Sequence, residues 1–238
     1  IATIGWGQDQ DNFDKATTLY QKGDYTQAAA VYSSILKSGK ESSALYYNLG
    51  NTYYKLNNVP ESIYYYEKAL QLDPENADAK NNLIFANQMK VDAITPLPKT
   101  WVRQLSDGIV GLFSAHTWAV LSIIGDFAFV LSFLIYYFVE RTALKRTFFS
   151  LMLVFLFFAI GSYTLAHFCH KQVSQTQYAI LFDKTVRVFS DANAYSSEVM
   201  QLHEGTKVEI IEDAKDWVKI RLVNGKTGWT KVNSLRKL

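Results

Sequence analysis

The chain has 238 residues, with 24 Lys+Arg against 22 Asp+Glu and a net charge of +2. This balance leaves no acidic tail and no basic stripe, which argues against nucleic acid as a partner. A single cysteine excludes an internal disulfide and any multi-cysteine metal site. The mean hydropathy of -0.04 averages a polar N-terminal part with a very apolar middle.

In chain order, Ile1-Ala2-Thr3-Ile4-Gly5-Trp6-Gly7 is apolar and small-residued and runs into polar Gln8-Asp9-Gln10-Asp11. This pattern marks residues 1–8 as the tail of a secretory signal peptide or an N-terminal extension. Residues 9–42 and 43–76 then align at a 34-residue period. Lys22-Gly23-Asp24-Tyr25-Thr26-Gln27-Ala28 falls on Leu56-Asn57-Asn58-Val59-Pro60-Glu61-Ser62, and both copies carry helical apolar spacing. A third start, Ala77 to Asn87, supplies one more helix, as a cap would.

The second copy, Tyr46-Tyr47-Asn48-Leu49-Gly50-Asn51-Thr52-Tyr53-Tyr54 followed by Tyr66-Glu67-Lys68-Ala69-Leu70-Gln71-Leu72-Asp73-Pro74, resembles the tetratricopeptide repeat (TPR) family. Residues 9–90 are therefore expected to form an all-α TPR domain of five helices. Gly50 is expected to let paired helices approach, and Tyr46, Leu49, Tyr53, Tyr66 and Ala69 to pack between them. The resemblance implies a partner peptide in a concave groove lined by Tyr47, Asn48, Asn51, Tyr54, Asn82 and Phe85. Tyr47 and Tyr54 can equally be packing residues. Asp78 and Asn82 stand where a carboxylate clamp needs basic residues, so capture of a C-terminal carboxylate is not expected.

Residues 91–117 read as a linker and an interfacial helix. Pro96 and Pro98 stop the preceding helix and stiffen a spacer. Trp101, Leu105, Ile109, Leu112 and Phe113 then recur at helical spacing opposite Arg103, Gln104 and Asp107, which places this segment along a membrane surface with Trp101 and Trp118 at headgroup depth.

Two apolar runs follow, 118–139 and 148–169, each of about 22 residues and hence roughly 33 Å as helix, enough to cross a hydrocarbon core. The segment 140–147 between them holds Arg141, Lys145 and Arg146, which favours a cytoplasmic loop and places everything before and after the pair on the opposite side. Asp126 lies within the first span and needs a partner. Gly125 facing Ala159 or Gly161 would allow close approach, and Gly161, Ser162, Tyr163 and His167 pass at comparable depth. Three readings stay open for Asp126: a hydrogen bond inside the pair, contact with a span of another subunit, or proton conduction. His167, Cys169 and His170 invite a metal reading, but the chain supplies no third or fourth ligand of suitable kind.

From Tyr178 the period changes to two. Strands are expected at 178–181, 186–189, 207–211 and 217–222, with Asn224-Gly225 as a type I′ turn, which suggests a small barrel. Leu202-His203-Glu204-Gly205-Thr206-Lys207-Val208-Glu209, Asp216-Trp217-Val218-Lys219-Ile220 and Gly225-Lys226-Thr227-Gly228-Trp229 together resemble the bacterial SH3 (SH3b) family over residues 177–238. That family's cell-wall ligand would meet exposed Tyr178, Tyr195 and Trp229. Trp217 and Trp229 are also candidates for barrel packing.

The fold class is thus a multidomain membrane protein with an all-α TPR domain, a two-helix transmembrane hairpin and a small all-β SH3-like barrel. That order resembles the BatE-type proteins of the Bacteroides aerotolerance (Bat) system. The resemblance implies a two-pass bacterial inner-membrane protein with both soluble domains periplasmic. It further implies partners among von Willebrand factor A domain subunits and, indirectly, a MoxR-type ATPase, with a role in oxygen or stress tolerance. The residues contain no phosphate loop, nucleophile elbow or HExxH motif, so neither catalysis nor a cofactor is expected. Two functions remain to be weighed, a membrane-anchored scaffold and a peptidoglycan-binding module.

Overall fold

The computed structural model describes residues 4–98 and 100–238, without the side chains of residues 4–9, 102, 103, 107 and 172–175. It falls into two units, residues 1–97 with 177–238, and residues 98–176. Residues 1–3 of the N-terminal segment lie outside the described residues, and α1 (Ile4–Gln21) takes up the remainder.

In the first unit, α1 is followed by α2 (Tyr25–Lys37), α3 (Ser43–Lys55), α4 (Val59–Leu72) and α5 (Ala77–Gln88). Local chemistry sets the helix starts: Ser42, Asn58 and Asn76 accept from the backbone N–H of Leu45, Glu61 and Ala79, and Pro60 stands in the first turn of α4. After α1 the chain turns through Gly23 at φ 86°, and one period later Asn57 takes the same left-handed turn at φ 57°. Asparagine is the side chain that best tolerates that region after glycine.

The apolar face of each helix closes against its neighbours. Ala16, Ala28, Tyr32, Ile35, Leu45 and Leu49 form one buried cluster. Gly50 behaves as expected, because a Cβ there would meet Tyr66 Cδ1 at 2.5 Å. A feature of the 34-residue period emerges in the seam: Tyr32 OH lies 2.9 Å from Thr17 Oγ1, and Tyr66 OH donates to Asn51 Oδ1 at 2.6 Å. Each pair of helices is thus pinned at equivalent places by a tyrosine hydroxyl.

The strands are β1 (Gln177–Leu181), β2 (Thr185–Phe189), β3 (Glu198–His203), β4 (Lys207–Ala214), β5 (Trp217–Arg221), β6 (Thr227–Lys231) and β7 (Leu235–Lys237), in the order β3-β2-β6-β5-β4-β1-β7, with every pair antiparallel. Ala179, Leu181, Val186, Val188, Leu202, Val208, Val218, Ile220 and Leu222 fill the interior. Strands β3, β6 and β7 go beyond the sequence expectation. Only Leu202 of β3 is buried, so its alternation carries little signal. The type I′ expectation at Asn224-Gly225 fails, since only Gly225 has positive φ, at 81°. The N–H of Gly225 instead reaches the Leu222 carbonyl at 2.9 Å, within a three-residue loop closed by Leu222 and Lys226.

Helices and barrel belong to one unit. Ala179 and Leu181 point into the barrel while Ile180, between them, is buried with Ile63, Tyr66 and Ala86. The barrel covers the apolar side of α4 and α5, as the missing second helix of a third repeat would. Around that contact Arg236 makes a two-pronged bond to Glu61 at 2.8 and 2.9 Å, with its guanidinium against the rings of Tyr64 and Phe182. Lys207 reaches Glu67 at 2.7 Å. Asp92 accepts from the His203 N–H at 2.6 Å and from Thr206 Oγ1 at 2.7 Å, and lies 2.8 Å from His203 Nδ1. The expected spacer therefore does not hold for residues 92–97. Asp92 is bound to the barrel, Ile94 packs on its core, and the Leu97 N–H donates to the Val223 carbonyl.

The second unit comprises α6 (Trp101–Val110), α7 (Ala115–Phe138) and α8 (Thr142–Gln175). Helices α7 and α8 are both long and apolar enough to cross a membrane. The expected loop at 140–147 shrinks, because α8 already starts at Thr142 and carries Lys145 and Arg146 in its first turns. At 34 residues α8 is about 50 Å long, more than a hydrocarbon core requires. Trp101, Leu105, Ile109, Leu112 and Phe113 are exposed, while the side chains of Arg103 and Asp107 lie outside the described residues. Trp118 is buried beside Val110, Ala166 and Cys169, with its ring edge against Phe113.

Candidate functional site

The groove expected on the first helices of the repeats is built by α1, α3 and α5. Asn51, Tyr54, Asn82 and Phe85 line one cavity of about 190 Å³ together with Tyr20, Lys55 and Tyr66. Phe85 is 54% exposed, and no barrel residue enters the lining. Asn51 organises the floor: its Oδ1 accepts from Tyr66 OH and, at 2.8 Å, from Asn82 Nδ2, which also lies 3.3 Å from Tyr47 OH. With its oxygen committed, Asn51 keeps its amide N–H groups for a ligand. Burial first, with neighbouring Tyr47 second, pushes the Tyr66 phenol well above the ordinary range, so it remains a neutral donor.

Tyr47 is half-buried against the Tyr66 ring, with centroids 6.2 Å apart, and Asn48 is half-buried on the same helix outside the cavity lining. Sequence reasoning missed Tyr20 and Lys55. The period holds the signal for Tyr20, which stands one 34-residue step before Tyr54. A larger hollow of about 420 Å³, lined by Phe13, Ile35, Lys40, Glu41 and Leu45 among others, shares no residue with this groove.

The barrel candidates do not form one patch. Trp229 lies on β6 opposite Phe189 and Lys219, with Lys219 Nζ 5.7 Å from its ring, and Phe189 meets Trp217 edge-on at 5.6 Å. Tyr178 is three strands away on β1, where Lys207 Nζ lies 4.7 Å from its ring. Tyr195 is fully exposed on the loop between β2 and β3. The joined aromatic surface is therefore Phe189, Trp217 and Trp229.

In the helix pair, Gly125 faces Ala159, where an added Cβ would come within 3.1 Å, and Ser122 Oγ donates to the Ala159 carbonyl at 3.1 Å. Ser162 is buried, whereas Gly161, Tyr163 and Asp126 face outward. Asp126 makes no hydrogen bond or ion pair with any described residue, so the internal partner considered for it is absent there. The His167-Cys169-His170 cluster is split: Cys169 is buried with its Sγ 3.7 Å from the Val110 carbonyl, and both histidines are exposed. Among the described residues no group of three or more His, Cys, Asp or Glu could hold a metal.

Residues 13–77 match the tetratricopeptide repeat family and residues 184–234 match the bacterial SH3 domain family. No curated protein matches the chain. Both kinds of domain are typically non-catalytic and serve protein–protein or cell-wall binding. The chain thus joins a tetratricopeptide repeat region and a bacterial SH3 domain to two helices of membrane-spanning length and composition.

Proposed function

We propose that this protein is a non-enzymatic, membrane-anchored scaffold of the Bat type, whose groove holds a segment of a partner protein while its spans contact other subunits. The supporting observation is the open cavity over Asn51 and Asn82, walled by Tyr54 and Phe85. The unspent Asn51 amide beside the exposed Phe85 ring suits an extended peptide, whose backbone bonds to the amide while a side chain covers the ring. In this reading the protein crosses the inner membrane twice with Arg141, Lys145 and Arg146 cytoplasmic and both globular parts periplasmic. Its partners are von Willebrand factor A domain subunits, with a MoxR-type ATPase acting through them.

The test is a mild-detergent pull-down from native membranes with a C-terminal tag. Tyr54→Ala combined with Phe85→Ala should reduce recovered partner at least fivefold at unchanged expression. Unchanged recovery would sink the groove as the binding site. Asn51→Ala is less suitable, because it also removes the acceptor for buried Tyr66.

Peptidoglycan binding is the second reading, favoured by the joined Phe189, Trp217 and Trp229 surface. Aromatic faces suit the apolar faces of sugar rings. If it holds, the solubilised full chain pellets with purified sacculi and Trp229→Ala does not. Absence of the wild-type protein from the pellet would dispose of it.

A further inference from the structure

Asp126 is the twelfth of the 24 residues of α7, so in a spanning helix its carboxyl lies near the bilayer midplane. An ionisable group at that depth is costly unless it is paired. The helix pair has already satisfied its own seam. Ser122, Gly125, Ser132 and Ser162 are buried, and the Ser122 hydroxyl is bonded to the Ala159 carbonyl. Asp126 instead shares the outward face with exposed Ile123, Phe127 and Val130, none of which has a polar side chain.

Resting on the two-pass reading above, we infer that Asp126 is the docking point for a transmembrane helix of another protein that carries a basic side chain at mid-membrane depth. Charge complementarity selects this occupant. A lone carboxylate in hydrocarbon is neutralised best by a cation, which shares its desolvation and supplies the missing donors. A second copy of the chain fits less well, because symmetric pairing through α7 would bring two acidic groups together and supply no cation. The neighbouring outer face of α8 offers Val154, Phe157 and Phe158 near that level, judged from the Gly125–Ala159 contact. Its outward donors Tyr163 and His167 lie one to two turns further along.

The experiment places a photoreactive benzoylphenylalanine at Phe127, which is 74% exposed, in the full chain and in native membranes. Crosslinked peptides are identified by mass spectrometry, alone and with Asp126→Glu, Asp126→Asn or Asp126→Leu. All three variants leave the Ser122 and Gly125 seam intact. The inference expects a crosslink to a membrane span with Arg, Lys or His within one turn of the attachment point. Yield should be kept by glutamate and lowered at least tenfold by both asparagine and leucine, since a neutral amide leaves the partner's cation unpaired. Retention in Asp126→Asn, a crosslink to a second copy, a span without a basic residue, or crosslinks to lipid alone would each overturn it. Partner recovery in the groove pull-down reads the scaffold separately, so lipid-only crosslinks beside intact recovery would sink this inference and leave the scaffold standing.

Discussion

Helices α2 and α4 occupy the same place in successive repeats, yet only α4 carries the barrel. Where α4 has Glu61, Tyr64 and Glu67, α2 has Gln27, Ala30 and Ser33 one period earlier. The two glutamates take Arg236 and Lys207, and Tyr64 meets Phe182 edge-on with centroids 5.9 Å apart. The groove side differs in the same way. Thr17 spends its hydroxyl on the Phe13 carbonyl and on Tyr32, whereas Asn51, its counterpart, holds Tyr66 with its oxygen and keeps an amide to offer. A common skeleton therefore carries a plain first repeat and a second repeat specialised on two faces, through a few substituted positions.

Truncating the shared tyrosine should give the largest effect. Tyr66→Ala should cost about 3–5 kcal/mol, because it empties a core shared by α3, α4, α5 and Ile180 of the barrel. Denaturant unfolding of the full chain in detergent should also show helix and barrel signals falling together. Separate transitions would mean that the barrel does not depend on the second repeat. Gly50→Ala should cost about 1–3 kcal/mol through overpacking against the Tyr66 ring, whereas the equivalent position in the first repeat already holds buried Ala16. Ser62→Ala should act in the opposite direction. The Ser62 hydroxyl is buried without a partner, and Ala28 fills the equivalent place in the first repeat, so the exchange should gain about 1 kcal/mol.

Much of this was legible in the sequence because each element is set by a local period. The 34-residue repeat located five helices, the unbroken apolar runs located the spans, and alternation located four of seven strands. What stayed hidden depends on long-range pairing. Nothing within Ile180 indicates that its neighbours face the barrel core while it faces Ile63 and Tyr66. Asp92, in a stretch read as a spacer, gains its role from His203 and Thr206 more than a hundred positions away. For the groove, the register of the first helix of each repeat brings Asn51, Tyr54, Asn82 and Phe85 to one cavity, and the same period carries Tyr54 back to Tyr20. The orientation of Asp126 follows from which side of α7 the small residues Ser122 and Gly125 give to α8, a choice made by packing rather than by composition.

The ionic seam that α4 and the segment after α5 form with the barrel gives the smallest and most diagnostic effects, since the first repeat has no counterpart to it. Asp92 is the group whose titration reports on it. Burial alone would raise its pKa, but bonds from the His203 ring and backbone and from Thr206 outweigh burial and hold the carboxyl below its usual value. A carboxylate depressed in the folded state adds stability that is fully present above its unfolded value of about 3.9 and is lost as pH falls through the folded value. Thermal unfolding from pH 7 to pH 3 should therefore show Asp92→Asn less stable than wild type at neutral pH, with the gap closing toward pH 3. A gap that stays constant with pH would show that the loss is steric, not electrostatic. Arg236→Lys should have a milder effect, about 0.2–1 kcal/mol, because the pair with Glu61 is partly exposed and lysine keeps the charge while losing the planar fork. Its loss should shrink further in high salt, whereas the Tyr66→Ala loss should not.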